Sequence, residues 1–261
     1  MRPYLALVRA TVRTTLAYRM NFVMSLFGLL FQLLALLAIW HAVIGAGQVE
    51  GLTWPQMKTY LLVAFGTGAV VSLYADFRMA YRIQSGMVSV DLVRPVDYQT
   101  ARFAETLGWV WIELVAVAVT WGLAIAFTGP TVLPPAGQLA LFAVSFAVVV
   151  PLKFLIVYVS GLTCFWTQNY MGVNWMRIAV VNLLSGALVP LAFFPGWLRT
   201  AAELSPFAGM TSTPALIAIG ELRGAAAWQA IAVQLVWVAV LWVGARAAWR
   251  RAVRQLTVHG G

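Results

Sequence analysis

The sequence predicts an all-α integral membrane protein with six transmembrane helices, and three observations carry that prediction. Of 261 residues, 62% are hydrophobic and 10% charged, where an ordinary soluble domain carries about 25% charged residues. Mean hydropathy is +0.86, so the solvent for most of the chain is lipid. Apolar runs long enough to cross a bilayer, about 20 residues each, recur along the whole length and leave no room for a soluble catalytic domain. The chain therefore reads as a single transmembrane domain over 1–261.

The elements follow in order. Residues 1–20 carry Arg2, Arg9 and Arg13 on one stripe at helical spacing, with Leu5, Val8, Val12 and Leu16 on a neighbouring one. That pattern predicts an amphipathic helix lying in the membrane interface; a disordered basic tail is the alternative. The predicted spans are 21–44, 58–76, 105–127, 137–162, 172–192 and 227–247. Thr128-Gly129-Pro130 ends the third and Pro134-Pro135 opens the fourth. No cleavable signal peptide is expected, because the first apolar run continues past signal-peptide length.

Arginine placement sets the orientation. With the N-terminus inside, the inner segments hold Arg2, Arg9, Arg13, Arg19, Arg78, Arg82, Arg94, Arg102, Arg177, Arg246, Arg250, Arg251 and Arg254. The outer ones hold Lys58, Arg199 and Arg223. Both termini, the 77–104 loop and the 248–261 tail are thus expected in the cytoplasm. The net charge of +9 reads as this bias and as attraction to anionic lipid, not as a nucleic-acid surface.

Two segments between spans stand out. In 77–104, Ser85-Gly86 stops a helix continuing from the second span, since Gly takes a left-handed cap at little cost. Met87 to Val93 then suffices for about two turns, with Met87, Val88 and Leu92 expected on one apolar face and Asp91 and Arg94 offering charge. Pro95 ends this short helix, and Asp97 caps the next. The result is helix, turn, short helix, turn, helix, which serves either as a docking knob or as a solvated connector. The stretch 186–226 is too apolar for an exposed loop and too broken by Gly186, Pro190, Pro195, Pro206 and Pro214 for one span. Irregular backbone at membrane depth survives only under cover. The segment therefore reads as re-entrant or interfacial helices, with an apolar loop packed on the bundle as the alternative.

Chemistry-bearing residues are few. Cys164 is the only cysteine, and His41 and His259 the only histidines, so no metal cluster or catalytic set is expected. Lys58 and Lys153 are the only lysines and neither follows a glycine, so no phosphate-binding loop exists and any ATP motor must be another chain. Glu113 and Lys153 fall inside predicted spans, where charges mark functional sites or pairs. They either pair across the bundle, or Glu113 faces a cavity suited to a cationic substrate. Asn174 and Asn182 are candidates for a substrate path, with interhelical hydrogen bonding as the plainer reading.

The pattern Gly86…Asp91-Leu92-Val93-Arg94-Pro95 after a second span resembles the cytoplasmic coupling element of ATP-binding-cassette type 2 exporter permeases, specifically a bacterial six-span subfamily. Ser185-Gly186…Pro190-Leu191…Phe194-Pro195…Leu204-Ser205-Pro206-Phe207…Pro214 is similar to that family's outer segment, and the tail ending Val258-His259-Gly260-Gly261 is similar to its C-terminus. The resemblance implies a non-catalytic permease subunit in a bacterial inner membrane, paired with a second permease, either a copy or a paralogue. It implies two cytoplasmic ATPase subunits that carry the ATP and Mg and dock on the interfacial helix and on Gly86, Asp91, Leu92, Arg94 and Pro95. It places Gly186, Pro190, Pro195 and Pro206 at an outer gate. The cargo implied is a hydrophobic or amphipathic, drug-like small molecule, as in multidrug efflux.

Overall fold

The structure is a computed structural model that describes residue 8 and residues 19–45, 47–49, 51–71, 73–93, 95–131, 134–167 and 169–254. The expected interfacial helix with Arg2, Arg9 and Arg13, the residue Arg94, and the end of the tail (255–261) lie outside the described residues. Ten α-helices are described: α1 (Arg19–Ile44), α2 (Trp54–Ala69), α3 (Leu73–Gln84), α4 (Val88–Leu92), α5 (Tyr98–Thr128), α6 (Ala136–Leu162), α7 (Tyr170–Leu184), α8 (Gly196–Leu204), α9 (Ser212–Ile219) and α10 (Gly224–Val253). Single 3-10 turns lie at Thr163–Phe165, Leu191–Phe193 and Ala208–Met210. The only strands among the described residues are β1 (Gln48–Val49) and β2 (Leu52–Thr53), an antiparallel pair that turns the chain from α1 into α2.

Helices long and apolar enough to cross a membrane number four among the described residues: Leu26–Ile44 within α1, Tyr98–Thr128, Ala136–Phe165 and Gly224–Val253. The other two expected spans differ from expectation. The run 58–76 is broken, with α2 stopping at Ala69 after 16 residues and α3 starting at Leu73. At 1.5 Å per residue α2 covers about 24 Å, short of a hydrocarbon core of about 30 Å. The run 172–192 yields only the 15 residues of α7 before the chain turns at Ser185.

Local signals explain most boundaries. Gln56 Oε1 accepts from Thr53 N at 3.0 Å and Thr53 Oγ1 at 2.7 Å, closing the start of α2. Asp97 Oδ1 accepts from Thr100 N at 2.9 Å at the start of α5. Asn169 Oδ1 accepts from Gly172 N at 3.1 Å at the start of α7.

Among the described residues, the two largest of five hydrophobic clusters lie toward different ends of the bundle. The far-end cluster joins Leu33, Leu37 and Trp40 of α1 to Met57, Tyr60 and Leu61 of α2, Ala124 of α5 and Ala215 and Ala218 of α9. The knob-end cluster joins Met79 and Ile83 of α3 to Val88 of α4, Tyr98 of α5, Phe154 and Tyr158 of α6 and Tyr170 of α7. Tyr98 stacks on Trp249 of α10 with centroids 4.1 Å apart. The α6 helix runs through both ends, with α10 along one side and α9 and α3 against it at different levels.

The 186–226 segment folds into α8, α9 and two 3-10 turns, and side chains of the long helices reach into it. Gln234 Nε2 donates to Gly209 O at 2.6 Å while its Oε1 accepts from Ser145 Oγ at 2.9 Å. Gln138 Nε2 donates to Ile217 O at 2.9 Å and also to Leu222 O. Thr67 and Thr211 hydroxyls lie 3.3 Å apart. The part of the segment from 208 to 222 is thus mostly buried and hydrogen-bonded by the long helices, while 195–204 is largely exposed.

Replacing Gln234 by Leu removes the partners of both Gly209 O and Ser145 Oγ in a dry environment. The expected cost is about 1–3 kcal/mol, read as a lower unfolding midpoint in detergent, with Ser145→Ala costing less. A second expectation concerns pH. Partial burial pushes the Asp97 carboxyl up, but the bonds from Thr100 and the Arg246 guanidinium outweigh burial and hold it below the usual carboxylate range. A carboxyl lowered on folding contributes stability above its unfolded value and loses it as pH falls through the folded one. The gap in unfolding midpoint between native protein and Asp97→Ala should therefore be constant at neutral pH and close below about pH 4, the unfolded aspartate range.

Candidate functional site

The end of the bundle that carries α4 presents a knob, and its construction starts at Gly86. The α3 helix ends with Ser85 N donating to Tyr81 O at 2.8 Å and Gly86 N to Ile83 O at 3.1 Å. Gly86 takes φ +73°, the left-handed value that reverses the chain at no steric cost for glycine. Ser89 Oγ returns to Gly86 O at 2.7 Å, and α4 follows for five residues.

A helix that short has no stability of its own. Ion pairs hold it. Arg82 of α3 grips Asp91 in a fork, Nε to Oδ2 at 2.9 Å and Nη2 to Oδ1 at 2.7 Å. Arg102 of α5 places Nη2 4.0 Å from the same Oδ1 and Nη1 2.8 Å from Glu105 Oε2, with its guanidinium 5.1 Å above the Tyr98 ring. Val88 is fully buried beneath α4. Forked arginine–carboxylate pairs combine strength with fixed geometry, so α3, α4 and the start of α5 form one block.

This arrangement corrects the expected face. Asp91 was expected to offer charge outward and Val88 to join the apolar surface; both point inward. The outward surface is formed by Met87, Val90, Leu92 and Val93, with Val93 85% exposed and Tyr81 beside them at 66%. Pro95 is exposed in the bend before α5.

A second constellation lies where α2 stops. Val71 holds φ +54°, a genuine outlier for a β-branched side chain. Lys153, 7% exposed on α6, donates from Nζ to Thr67 O at 2.8 Å, to Gly68 O at 2.8 Å and to Val70 O. Glu113 Oε2 on α5 accepts from Val71 N at 2.7 Å. The ammonium meets the negative end of the α2 dipole and the carboxylate meets an orphan N–H. Lys58 does the same at the far end, donating to Thr128 O at 2.9 Å, to Pro130 O at 3.3 Å and to Gly129 O, where α5 ends. Both lysines of the chain therefore cap helix C-termini. The sequence marked Glu113 and Lys153 as buried charges but gave no sign that both meet at one backbone break.

The remaining expected residues are dispersed. Gly186, at φ +78°, accepts from Tyr60 OH at 2.9 Å through its carbonyl, and an added Cβ would sit 2.6 Å from that hydroxyl. Trp40 Nε1 donates to Leu188 O at 3.2 Å nearby. Pro190 is buried before the turn at Leu191–Phe193, Pro195 is exposed ahead of α8, and Pro206 is half-buried in the turn after it. Asn174 is 2% exposed on α7 and accepts from Arg177 Nη2 at 2.7 Å, while Asn182 is half-buried two turns on. Glu113 belongs instead to the break. Among the described residues no cluster of His, Cys, Asp and Glu has metal-site geometry.

None of the curated proteins compared with the chain matches it. A family model does: the one described as "ABC-2 family transporter protein" matches residues 26–260. That match covers all of α1 but its first turns, the knob, the break and every element to the end of α10. The chain therefore belongs to the ABC-2 transporter family of multi-pass membrane transport proteins.

Proposed function

We propose that the chain is the permease subunit of an ATP-binding-cassette exporter, forming the path of a hydrophobic or amphipathic small molecule and driven by a separate cytoplasmic ATPase. In this reading α2 with α3 makes the second of six spans and α7 the fifth. The arginine bias puts both termini and the knob in the cytoplasm of a bacterial cell. Two ATPase subunits, each holding its own ATP and Mg, dock on two permeases, and the second permease is a copy or a paralogue.

The knob carries the reading. An apolar surface of Met87, Val90, Leu92 and Val93 on a helix too short to stand alone, fixed by an arginine fork on a buried carboxylate, is what a protein partner needs: apolar contact area already held in its bound shape. A solvated connector would turn those side chains inward and the charge outward. Gly86 and Asp91 act as supports of this surface, and Leu92 as contact. The 186–226 segment, with Gly186, Pro190, Pro195 and Pro206, is the gate on the opposite side; half-buried Asn182 is the side chain offered to cargo, and Asn174, buried against Arg177, reaches cargo only if α7 moves.

Val93→Asp and Leu92→Asp each place a charge on the contact surface and leave the Arg82–Asp91 fork intact. Each is expected to weaken association with the ATPase by about ten-fold or more, the scale of an interface anchor, without lowering the unfolding midpoint of the isolated chain. Affinity purification through a tag on this chain, followed by ATP hydrolysis in the purified complex, measures both. Complex yield and hydrolysis at native levels in both variants would refute docking at the knob.

A further inference from the structure

The break between α2 and α3 falls on the border between the two hydrophobic clusters. Residues of α2 from Met57 to Phe65 pack in the far-end cluster, whereas Val70, Val71 and the α3 residues Met79, Ala80 and Ile83 pack in the knob-end cluster. The stretch from Thr67 to Val71, the last turn of α2 and the two residues after it, therefore lies between the two clusters and joins them along this span. Its last helical hydrogen bond runs from Val70 N to Gly66 O at 3.2 Å. A backbone without the helical ladder has free dihedrals and would act as a swivel, absorbing any movement of α3. Here it is held on both sides: Lys153 of α6 binds three of its carbonyls and Glu113 of α5 binds the Val71 N–H. The positive φ of Val71 persists because neighbours over-determine it, and such strain concentrates where a structure has a mechanical task.

We infer that Lys153 and Glu113 are positioning residues that lock this break, so that displacement of the knob is passed to the far-end helices instead of being lost at Val71. The inference rests on the reading of the knob as the ATPase contact. The block of α3, α4 and the start of α5, welded by Arg82, Asp91 and Arg102, moves as one lever. Besides α5, which runs unbroken from the lever to Ala124 in the far-end cluster, lever and far-end helices meet at the break after α2, and the two clamps there come from different helices, so a tilt of α3 must carry the end of α2 with it.

Labels report the two ends separately. In a Cys164→Ala background, a single cysteine at Ser85 on the knob or at Leu188 at the far end, both exposed, takes a spin label. The chain is assembled with its ATPase in phosphatidylethanolamine–phosphatidylglycerol nanodiscs, and the change in label mobility on adding ATP and Mg is read at each site. Native protein is expected to respond at both. Lys153→Met and Glu113→Leu are expected to keep the Ser85 response and to lose at least half of the Leu188 response. Glu113→Gln, which keeps an acceptor for the Val71 N–H, is expected to retain both, and with Glu113→Leu it decides the matter should Lys153→Met fail to fold. Full transmission to Leu188 in Glu113→Leu and in any folded Lys153→Met overturns the inference. So does loss of transmission in Val71→Gly, which relieves the strain and leaves both clamps in place. A native complex silent at Ser85 overturns the docking reading itself, and a complex responsive at Ser85 but equally responsive at Leu188 in every variant overturns only the lock.

Discussion

The structure depends on one constraint: a helix that stops inside an apolar medium must have its last carbonyls satisfied from within the protein. Water cannot do it there, and each unmet group costs several kcal/mol. Lys153 meets the constraint for α2. A lysine ammonium has three donors around a compact charge, and here three carbonyls converge on it. The burial of the charge is offset because the carbonyls lie at the negative end of a helix dipole and because Glu113 binds the same stretch from the other side. Lys58 makes the same kind of contact at the end of α5, where Thr128 and Pro130 are exposed.

The same constraint accounts for the polar side chains within the long helices. Gln138, Ser145 and Gln234 are buried, and each is hydrogen-bonded, directly or through another, to carbonyls in or next to the short elements of 208–222: Gly209 in a 3-10 turn, Ile217 in the last turn of α9 and Leu222 after it. These side chains complete short neighbouring elements whose end carbonyls have few partners of their own.

Legibility in the sequence follows the range of the interaction that decides each feature. The helices α5, α6 and α10 were readable because long apolar composition alone decides them. The Asp97 cap and the Gly86 stop were readable because a residue three positions away, or the residue's own backbone, decides them. The break in the second span was not. The string from Ala64 to Val71 is apolar and contains small residues common in membrane helices; what stops the helix there are Lys153 and Glu113, far off in sequence and brought near only by folding. The face of α4 was unreadable for a related reason. Five residues are too few for periodicity to set a rotation, and the pair Arg82–Asp91 sets it instead, turning the charge in and the apolar side chains out.

That inversion has a physical logic. A short helix with its apolar face inward would be held by burial, but burial is non-directional and lets so small an element rock. A forked ion pair beneath the helix is directional, and its partner Arg82 sits on a helix that itself packs on α6. The apolar side chains are then free to face outward without the helix collapsing onto them. An exposed apolar surface on a rigid mount is costly for an isolated protein and favourable for one that meets a partner. The inward carboxylate of Asp91 and the outward Leu92 are thus a single design: the first, gripped from α3 by Arg82, fixes the angle at which the second is presented.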